Sequence, residues 1–352
     1  MKALRGILLM LLAAVTPGMA QPSEGGSVTG TVLCDDTHGP ARNAYVSLQM
    51  PIKRNARFVP PQEPFRGTTD TNGAFTIANV APGEYYVMVF SPGYISAQDY
   101  VFPGAKAEEA LPSFVKRVTI VAGGTEHVAI ELKRGGTISG TVTYSDGAPA
   151  PYVALTPKFK AKQGYFVDAF GSGASHTDSL GRYRIDGLPD GSYVVLGAME
   201  GATVPVFGGD QRGGSGLMIF AGGGLRPSQA RVTVVSGANE YPGVNITIPL
   251  NGVHEVYGAV MARDGHRVDH GLVRLFPTGE ARFSLSTPVE ADGSFHFHRI
   301  PPDHYTIRAE DVSDLRNDGG VRRVLQKYGS ASVDVEVAAG DVSGVLLTAD
   351  PI

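Results

Sequence analysis

The chain has 352 residues, and its 30 Lys and Arg residues nearly balance its 34 Asp and Glu residues, which gives a formal net charge of -4. That balance argues against the strongly basic surfaces that bind nucleic acid or anionic lipid. A hydrophobic fraction of 42% argues against a disordered protein, and 46 Gly with 24 Pro residues favour frequent turns between short strands.

The first 20 residues have the three parts of a secretory signal peptide. Lys2 and Arg5 precede an apolar run over residues 6–15, and a segment of small residues then ends at Ala20. The apolar run is too short for a membrane span, which needs roughly 20 residues. We therefore predict cleavage before Gln21 and export to the periplasm, the cell surface or the medium, with no later membrane span.

Three blocks of sequence recur in the same order along the rest of the chain. Each repeat opens with an alternating strand, continues with a turn containing Gly and an aromatic residue, and reaches a Pro-rich corner that ends in Tyr. The openings are residues 27–32, 138–142 and 256–260, the turns carry Gly73 and Phe75, Gly181 and Tyr183, and Gly293 and Phe295, and the corner tyrosines are Tyr85, Tyr193 and Tyr305. The corner Tyr follows the turn Gly by 12 residues in all three repeats, so the repeat is structural rather than accidental.

The alternation within these blocks predicts β-strands with one buried face. Apolar residues at every second position form the core, and we expect the corner tyrosines to be structural because their rings can be buried while their hydroxyls bond to the backbone. Each repeat closes with a further alternating hairpin. Helices are expected only as short insertions, over residues 106–111 and 312–328.

The fold class predicted is all-β, as three tandem Ig-like or transthyretin-like antiparallel β-sandwiches after a cleaved signal peptide. The predicted segments are a signal peptide over residues 1–20, a first sandwich over 21–133, a second with a Gly-rich insertion over 134–251, and a divergent third over 252–352.

The recurring motifs resemble those of a known family. The Gly-Thr-Val opening, the Thr-Asp-x-x-Gly-x-Phe/Tyr turn and the Leu/Val-x-Pro-Gly-x-Tyr corner are similar to those of the carboxypeptidase regulatory-like domain, in tandem arrays of the exported bacterial type. That domain is a transthyretin-like or prealbumin-like sandwich, grouped with carbohydrate-binding-like folds and Cna-B-type surface modules. The resemblance covers nearly all of the chain after the signal peptide and implies the fold, but it implies no particular activity.

The leading functional hypothesis is a non-catalytic structural or interaction array that presents loops to a protein partner or an envelope polysaccharide. The chain contains no Gly-x-Ser-x-Gly elbow, His-Glu-x-x-His motif or phosphate-binding loop, so we expect neither enzymatic activity nor a cofactor. The alternative is carbohydrate binding, which the fold grouping permits. Its candidate aromatic platform consists of Tyr94, Tyr100, Tyr165 and Phe166, although the absence of Trp argues against it.

Histidines provide the sharpest local hypothesis, because six of the nine lie in the third repeat: His254, His266, His270, His296, His298 and His304. His296 and His298 alternate with inward Phe residues and should face solvent, where such a pair can chelate Zn²⁺ or Cu²⁺ if His304 or His270 supplies a third ligand. The simpler interpretation is that these histidines fill polar strand faces, so no metal site is assigned.

Two further polar positions also have simple interpretations. Cys34 continues the buried face of the first strand, so we expect an apolar thiol rather than a nucleophile or a dimer bridge. Asp70 and Asn72 have a spacing found in calcium loops, but a hairpin turn needs the same spacing and no later Glu completes such a loop.

Two long loops are candidates for contacts with a partner. The Gly-rich insertion over residues 197–224 contains the apolar segment 217–220, which either meets a partner or covers the exposed edge of the sandwich; we favour edge covering. The comparable excursion in the first repeat spans residues 53–64.

Overall fold

The computed structural model describes residues 25–51, 65–101, 111–162, 164–169, 175–199, 217–280, 284–318 and 321–352. The predicted signal peptide, the 53–64 excursion, most of the predicted 106–111 helix and the middle of the Gly-rich insertion lie outside these ranges. Neither helical segment in the described ranges, α1 Gln98–Val101 or the 3-10 turn Pro227–Gln229, is long and apolar enough to span a membrane.

The strands fall into three consecutive sets, which we call the first, second and third modules. The first module contains β1 Gly26–Cys34, β2 Tyr45–Gln49, β3 Arg66–Thr68, β4 Ala74–Val80, β5 Gly83–Phe90, β6 Lys116–Ile120 and β7 Thr125–Leu132. The second contains β8 Gly136–Tyr144, β9 Ala154–Lys160, β10 Phe166–Asp168, β11 Ser175–His176, β12 Arg182–Leu188, β13 Gly191–Ala198, β14 Met218–Phe220, β15 Thr233–Val235, β16 Glu240–Tyr241 and β17 Ile246–Ile248. The third contains β18 His254–Ala262, β19 His270–Pro277, β20 Leu285–Pro288, β21 Ser294–Ile300, β22 Asp303–Asp318, β23 Val321–Lys327, β24 Ala331–Val337 and β25 Val342–Ala349.

Each module is a sandwich of two sheets, as the sequence predicts. The smaller sheet has the first strand at its centre, in the orders β4-β1-β7, β12-β8-β16 with β17 also on β8, and β21-β18-β25. The larger sheet has the orders β3-β2-β5-β6, β10-β9-β13-β14 and β20-β19-β22-β23, with β11, β15 and β24 as additional strands. The predicted boundaries after residues 133 and 251 fall between these sets of strands.

The alternation places the predicted residues in the core. Val28 and Val32 are fully buried, and Phe75, Ile77 and the free thiol of Cys34 lie in the same cluster. The prediction of a buried apolar thiol at Cys34 is therefore confirmed.

The first and last strands of each module pair in parallel, which differs from the predicted closing hairpin. β7 runs alongside β1 from Ser27 opposite Thr125 to Cys34 opposite Leu132, whereas β6 pairs with β5 in the other sheet. β16 and β17 pair with β8, and β25 with β18, in the same parallel way. A period-two pattern shows which face of a strand is buried but not which strand is its neighbour. It therefore does not distinguish a hairpin from two consecutive strands that belong to opposite sheets.

The repeated turns use their Gly and Asp residues as expected. Gly73, Gly181 and Gly293 have φ values of 75°, 70° and 79°, in the left-handed region that favours Gly. In the first turn, Asp70 Oδ1 accepts hydrogen bonds from the backbone N–H of Asn72 and of Ala74, both at 2.8 Å. This carboxylate therefore has the role in a hairpin turn that the simpler interpretation gives it.

The corner tyrosines are structural in all three modules. Tyr85, Tyr193 and Tyr305 are each 1% exposed. Their hydroxyls donate to the carbonyl oxygens four residues earlier, Ala81 at 3.0 Å and Pro189 and Pro301 at 2.8 Å. The ring fills the core while the hydroxyl holds the corner closed.

The helix predicted over residues 312–328 is wrong, because this segment is a β-hairpin. Strand β22 continues to Asp318 and pairs with β23, with Ser313 opposite Lys327 and Asp318 opposite Val321. In the sequence Asp318 is followed by two Gly residues, a composition that disfavours a helix and favours a turn.

The described end of the Gly-rich insertion covers a sheet edge, as we expected. Met218–Phe220 forms β14, whose residues pair with Leu196–Ala198 at the edge of β13. Met218 and Phe220 pack into the third-module core, while Leu217 and Ile219 pack into the second-module core. One short strand therefore protects an edge and joins two modules.

The second and third modules are also joined by a partly buried ion pair. Arg226 Nη2 donates to Asp303 Oδ1 at 2.9 Å and Arg226 Nε donates to Asp303 Oδ2 at 3.1 Å, with both side chains less than a quarter exposed. Arg226 Nη1 also donates to the carbonyl oxygen of Thr278 at 2.6 Å. Such a bidentate contact constrains both the relative orientation and the separation of the two side chains.

The first and second modules meet through backbone contacts. The N–H of Gly93 donates to Asp186 Oδ1 at 3.2 Å, and that of Gly135 donates to the Gly93 carbonyl at 3.1 Å. Gly187, with a φ of 72°, lies so close to Tyr94 that an added Cβ would stand 2.6 Å from its carbonyl oxygen. The absence of a side chain at Gly187 therefore permits this approach.

Candidate functional site

Among the described residues, one group of three side chains that could bind a metal ion lies on the outer face of the smaller sheet of the third module. His296 and His298 project from β21, and Glu255 projects from the neighbouring strand β18. As predicted, the two histidines alternate with the buried Phe295 and Phe297, and their side chains are 32% and 49% exposed.

A bulge between the two strands directs Glu255 toward the histidines. The register of β18 against β21 shifts between His254 and Val256, so Glu255 falls in the irregular step. Opposite it, Arg299 has a φ of 58°, and its N–H lies 3.3 Å from Glu255 Oε1. The backbone N–H of Glu255 donates to Asp341 Oδ1 at 2.9 Å, which fixes the strand on its other side.

Both histidines converge on a single oxygen. His296 Nε2 lies 2.6 Å from Glu255 Oε2, and His298 Nδ1 lies 2.7 Å from the same atom. The two imidazole centroids are 3.7 Å apart, and the Tyr257 ring stacks on His296 at 4.1 Å. Two imidazole nitrogens and one carboxylate form a donor set that Zn²⁺ and Cu²⁺ accept.

The third ligands proposed from the sequence were wrong, and Glu255 was missed. His270 and His304 belong to β19 and β22, in the opposite sheet of the module, and neither joins the cluster of Glu255, His296 and His298. A signal was available in the sequence, because Glu255 directly precedes the recurring opening strand. Using it required the register of that strand against the strand after the turn, which periodicity does not give.

A second group of polar side chains in the same module contains one histidine, His266, with Asp264, Asp314 and Tyr328. His266 Nδ1 lies 2.5 Å from Asp264 Oδ1 and its Nε2 lies 2.9 Å from Asp314 Oδ2, while Tyr328 donates to Asp314 Oδ2 at 2.7 Å. Hydrogen bonds from its ring to the carboxylates of Asp314 and Asp264 raise the pKa of His266, and burial raises the pKa of Tyr328 to about 12. This network joins the connection between β18 and β19 to Asp314 in the second half of β22 and to Tyr328 directly after β23, so it stabilises the β22–β23 hairpin.

Tyr94 cannot act as an exposed aromatic platform, which corrects the role proposed for it. Its side chain is 8% exposed, and its hydroxyl donates to Asp36 Oδ1 at 2.8 Å. The Arg134 guanidinium lies over its ring, 4.5 Å from the centroid, and burial raises the pKa of the Tyr94 phenol. The Tyr94 side chain therefore belongs to the first-module core, while its backbone carbonyl faces Gly187 of the second module.

The other three proposed platform residues do not form one surface. Tyr100 packs edge-on against Phe114, with the ring centroids 5.8 Å apart, in a small cluster of the first module. Tyr165 and Phe166 are half-buried in the second module, and Phe166 packs against the core of the third. Sugar binding by these residues stays a prediction, without a common face to support it.

Comparison with known proteins matches part of the chain to one family. A family model described as polysaccharide lyase family 4, domain II, matches residues 41–128, which lie within the first module. No curated protein matches the sequence.

The solved structures to which this chain is similar include three that illustrate the range of the matches. The Bacillus anthracis TIE protein is 13% identical at a TM-score of 0.22, covering 93% of this chain and 51% of its own, so this chain spans about half of that protein. A streptococcal ancillary pilin is 10% identical at a TM-score of 0.27, covering 94% of this chain and 99% of its own. A putative carbohydrate-binding protein from Pseudomonas aeruginosa is 17% identical at a TM-score of 0.22, covering 28% and 88%. These similarities are too low to assign a function, and the carboxypeptidase regulatory-like assignment stays a prediction.

Proposed function

We propose that the chain is an exported, non-catalytic array of three β-sandwiches that presents its surfaces to a protein or polysaccharide of the cell envelope or the extracellular space. The observation that carries the proposal is that neighbouring modules contact each other at both boundaries, instead of being connected only by a flexible linker. A partner would therefore meet a fixed arrangement of three modules.

The boundary between the second and third modules supports this most directly. Met218 and Phe220 are buried among third-module residues, and the Arg226–Asp303 pair ties the same surfaces together. An apolar contact excludes water, and the ion pair in the partly buried rim has a stronger directional effect than an exposed one.

The boundary between the first and second modules supports it in a different way. Here the backbone of residues 93–95 bonds to residues 133–135 and to Asp186, so a connection of a few residues is held along most of its length. Little conformational freedom remains in such a link.

The stiffness of the array can be measured with two spin labels on the full chain. We would place them at exposed residues of the first and third modules, as Val121→Cys and Val324→Cys, after replacing the buried thiol by Cys34→Ala. Pulsed electron resonance should give one narrow distance distribution. A broad distribution would contradict a fixed array.

The partner can be sought with the same labelled protein. Saturable binding to isolated envelopes, abolished by protease treatment of those envelopes, supports a protein partner, while loss after glycan digestion supports the carbohydrate-binding alternative. The Arg226→Met variant loosens the boundary between the second and third modules. It should therefore bind more weakly to any partner that contacts both of these modules. Turnover of an envelope polymer by the purified chain would overturn the non-catalytic proposal.

A further inference from the structure

We propose that Glu255, His296 and His298 form a binding site for one divalent transition-metal ion, with Zn²⁺ as the ion best suited to it. The site is independent of the proposed array function and lies on the exposed side of a sheet rather than at a module boundary. Three protein ligands leave further coordination positions open to water.

The three donor atoms lie near enough to one another to bind a single ion without movement of the backbone. Zn²⁺ binds imidazole nitrogen at about 2.0–2.1 Å and carboxylate oxygen at about 2.0–2.2 Å, which places donors roughly 3.3 Å apart in a tetrahedral site. The three ligand atoms here lie within 4.8 Å of one another, and the two nitrogens lie 2.6 and 2.7 Å from Glu255 Oε2. Side-chain shifts of under about 1 Å therefore convert the hydrogen bonds into metal bonds.

The ligands project from paired strands rather than from a loop. His296 and His298 sit two residues apart on one strand, so they lie on the same face of the sheet. The stacked ring of Tyr257 restricts His296, and the bulge opposite Arg299 restricts Glu255. Ligands fixed before binding lose little side-chain entropy when the ion arrives.

The chemistry of the donors selects among ions. Two imidazoles and one carboxylate suit Zn²⁺ and Cu²⁺, whereas Ca²⁺ and Mg²⁺ prefer six or more oxygens. The carboxylate supplies negative charge, and Asp341, which accepts from the Glu255 N–H, adds a second acidic group nearby. The remaining oxygen of Glu255 faces the Arg299 N–H at 3.3 Å, as an outer contact that orients a metal ligand does.

A metal-free interpretation of the same contacts exists, and it makes a different prediction. Glu255 could be present only to accept hydrogen bonds from two histidines and thereby fasten β18 to β21. In that case removing any of the three changes stability alone and leaves metal affinity unchanged.

The test is titration of the untagged chain, residues 21–352, with ZnCl₂ by calorimetry and by competition with a chromophoric chelator. We expect one ion per chain. His296→Ala, His298→Ala and Glu255→Gln should each weaken Zn²⁺ binding by more than about 100-fold, because outer-shell partners alone are worth roughly 10- to 100-fold.

The matched controls are His270→Ala and His304→Ala, which remove exposed histidines of the same module that lie outside the cluster. These variants should bind Zn²⁺ as the wild type does. Thermal unfolding without metal shows that each variant is folded, and Cu²⁺ electron resonance should show coupling to two nitrogens in the wild type and to one in His298→Ala.

Three results would overturn the proposal. They are wild-type binding no tighter than that of His296→Ala, equal losses in the His270→Ala or His304→Ala control, and a Cu²⁺ spectrum without two coupled nitrogens. If Glu255→Gln unfolds the module, the two histidine variants decide the question alone.

Discussion

The corner tyrosines show how one hydroxyl acts in an otherwise apolar position. In Tyr193→Phe the ring stays in the core, but the Pro189 carbonyl loses its donor. We expect the free energy of unfolding to fall by about 1 kcal/mol, the usual net value of a neutral hydrogen bond. Urea denaturation measures this loss, and Tyr152→Phe, at a residue 76% exposed, should show none.

His266 makes the stability of the third module depend on pH. Hydrogen bonds from the His266 ring to the carboxylates of Asp314 and Asp264 raise its pKa above the ordinary value of 6.5, and the Tyr328 hydroxyl lies beside the same ring. Because the folded-state pKa is the higher one, the protonated ring stabilises the fold fully below the unfolded-state pKa, and this contribution is lost as pH rises through the folded-state pKa.

The prediction is that His266→Gln removes this part of the pH dependence. The urea concentrations at the unfolding midpoints of the wild type and the variant should differ most at about pH 5.5 and converge at about pH 8.5. His270→Gln, which changes an exposed histidine outside the network, should follow the wild type. A difference between the wild type and His266→Gln that does not shrink with rising pH would contradict the assignment.

At the level of single residues, the sequence predicted those positions that depend on local pattern. The burial of Phe295 beside the exposed His296 follows from alternation alone, and the corner tyrosines follow from their spacing. Glu255 is not predicted because its position depends on the register of a strand about 40 residues away, and the burial of Tyr94 is not predicted because its partners Asp36 and Arg134 are distant in sequence.

The strand that follows each repeated turn contains a bulge, and the residue at the bulge differs among the three modules. Asn79, Gly187 and Arg299 each follow the turn Gly by six residues and have φ values of 57°, 72° and 58°. Gly187 packs directly against the backbone of the first module, where an added Cβ would stand 2.6 Å from the Tyr94 carbonyl oxygen, whereas Arg299 reaches the Pro249 carbonyl of the second module with its guanidinium, at 3.2 Å. The same backbone conformation is thus used twice with a side chain and once without.

Paired alanine substitutions separate the backbone effect from the packing effect. Asn79→Ala and Gly187→Ala both place Ala in the left-handed region, which costs roughly 1–2 kcal/mol relative to a residue that tolerates it. We expect Gly187→Ala to be the more destabilising in denaturant melts, because it also forces the two modules apart. Equal losses in the two variants would show that the contact at Gly187 contributes nothing.

The elements themselves were predicted unevenly, for reasons that differ. Opening strands and turn strands carry alternation and turn residues, so both were recognised. The sequence predicts a helix where the β22–β23 hairpin lies because the charged residues there have no simple period, and the long-range pairing of β7 with β1 leaves no local signal at all.

On the scale of the whole molecule, Arg226 is the residue that we expect to couple the second and third modules. Burial alone would raise the pKa of Asp303, but hydrogen bonds from Arg226 and from the His304 N–H outweigh it and hold the pKa below its usual value. In Arg226→Met the carboxylate is left partly buried without its partner, at a cost of about 1–3 kcal/mol.

The expected outcome of Arg226→Met is a change in how the chain unfolds. Calorimetry should show the third module melting separately from the second, and small-angle scattering should show a larger radius of gyration. The control is Arg182→Met, which breaks a well-exposed pair with Asp178 and should leave both measurements unchanged. A single transition at an unaltered temperature in Arg226→Met would mean that apolar contacts alone join these modules.

The number and order of the modules followed from the repeat, but their docking did not. The repeated motifs contain only residues that all three sandwiches have in common. Arg226, Gly187 and Met218 lie at positions where the modules differ. A boundary contact is therefore visible in sequence only as a departure from the repeat, with nothing to separate it from neutral variation.

The parallel pairing of first and last strands has a mechanical consequence. Because β1 and β7 run in the same direction, the chain enters the first module at one end of this ladder and leaves it at the other. Tension applied to the two ends of the chain would act along the strands and load the hydrogen bonds of the ladder together, in shear, instead of opening them one after another. The same geometry in β8 with β17 and in β18 with β25 would let all three modules carry a pulling force in series.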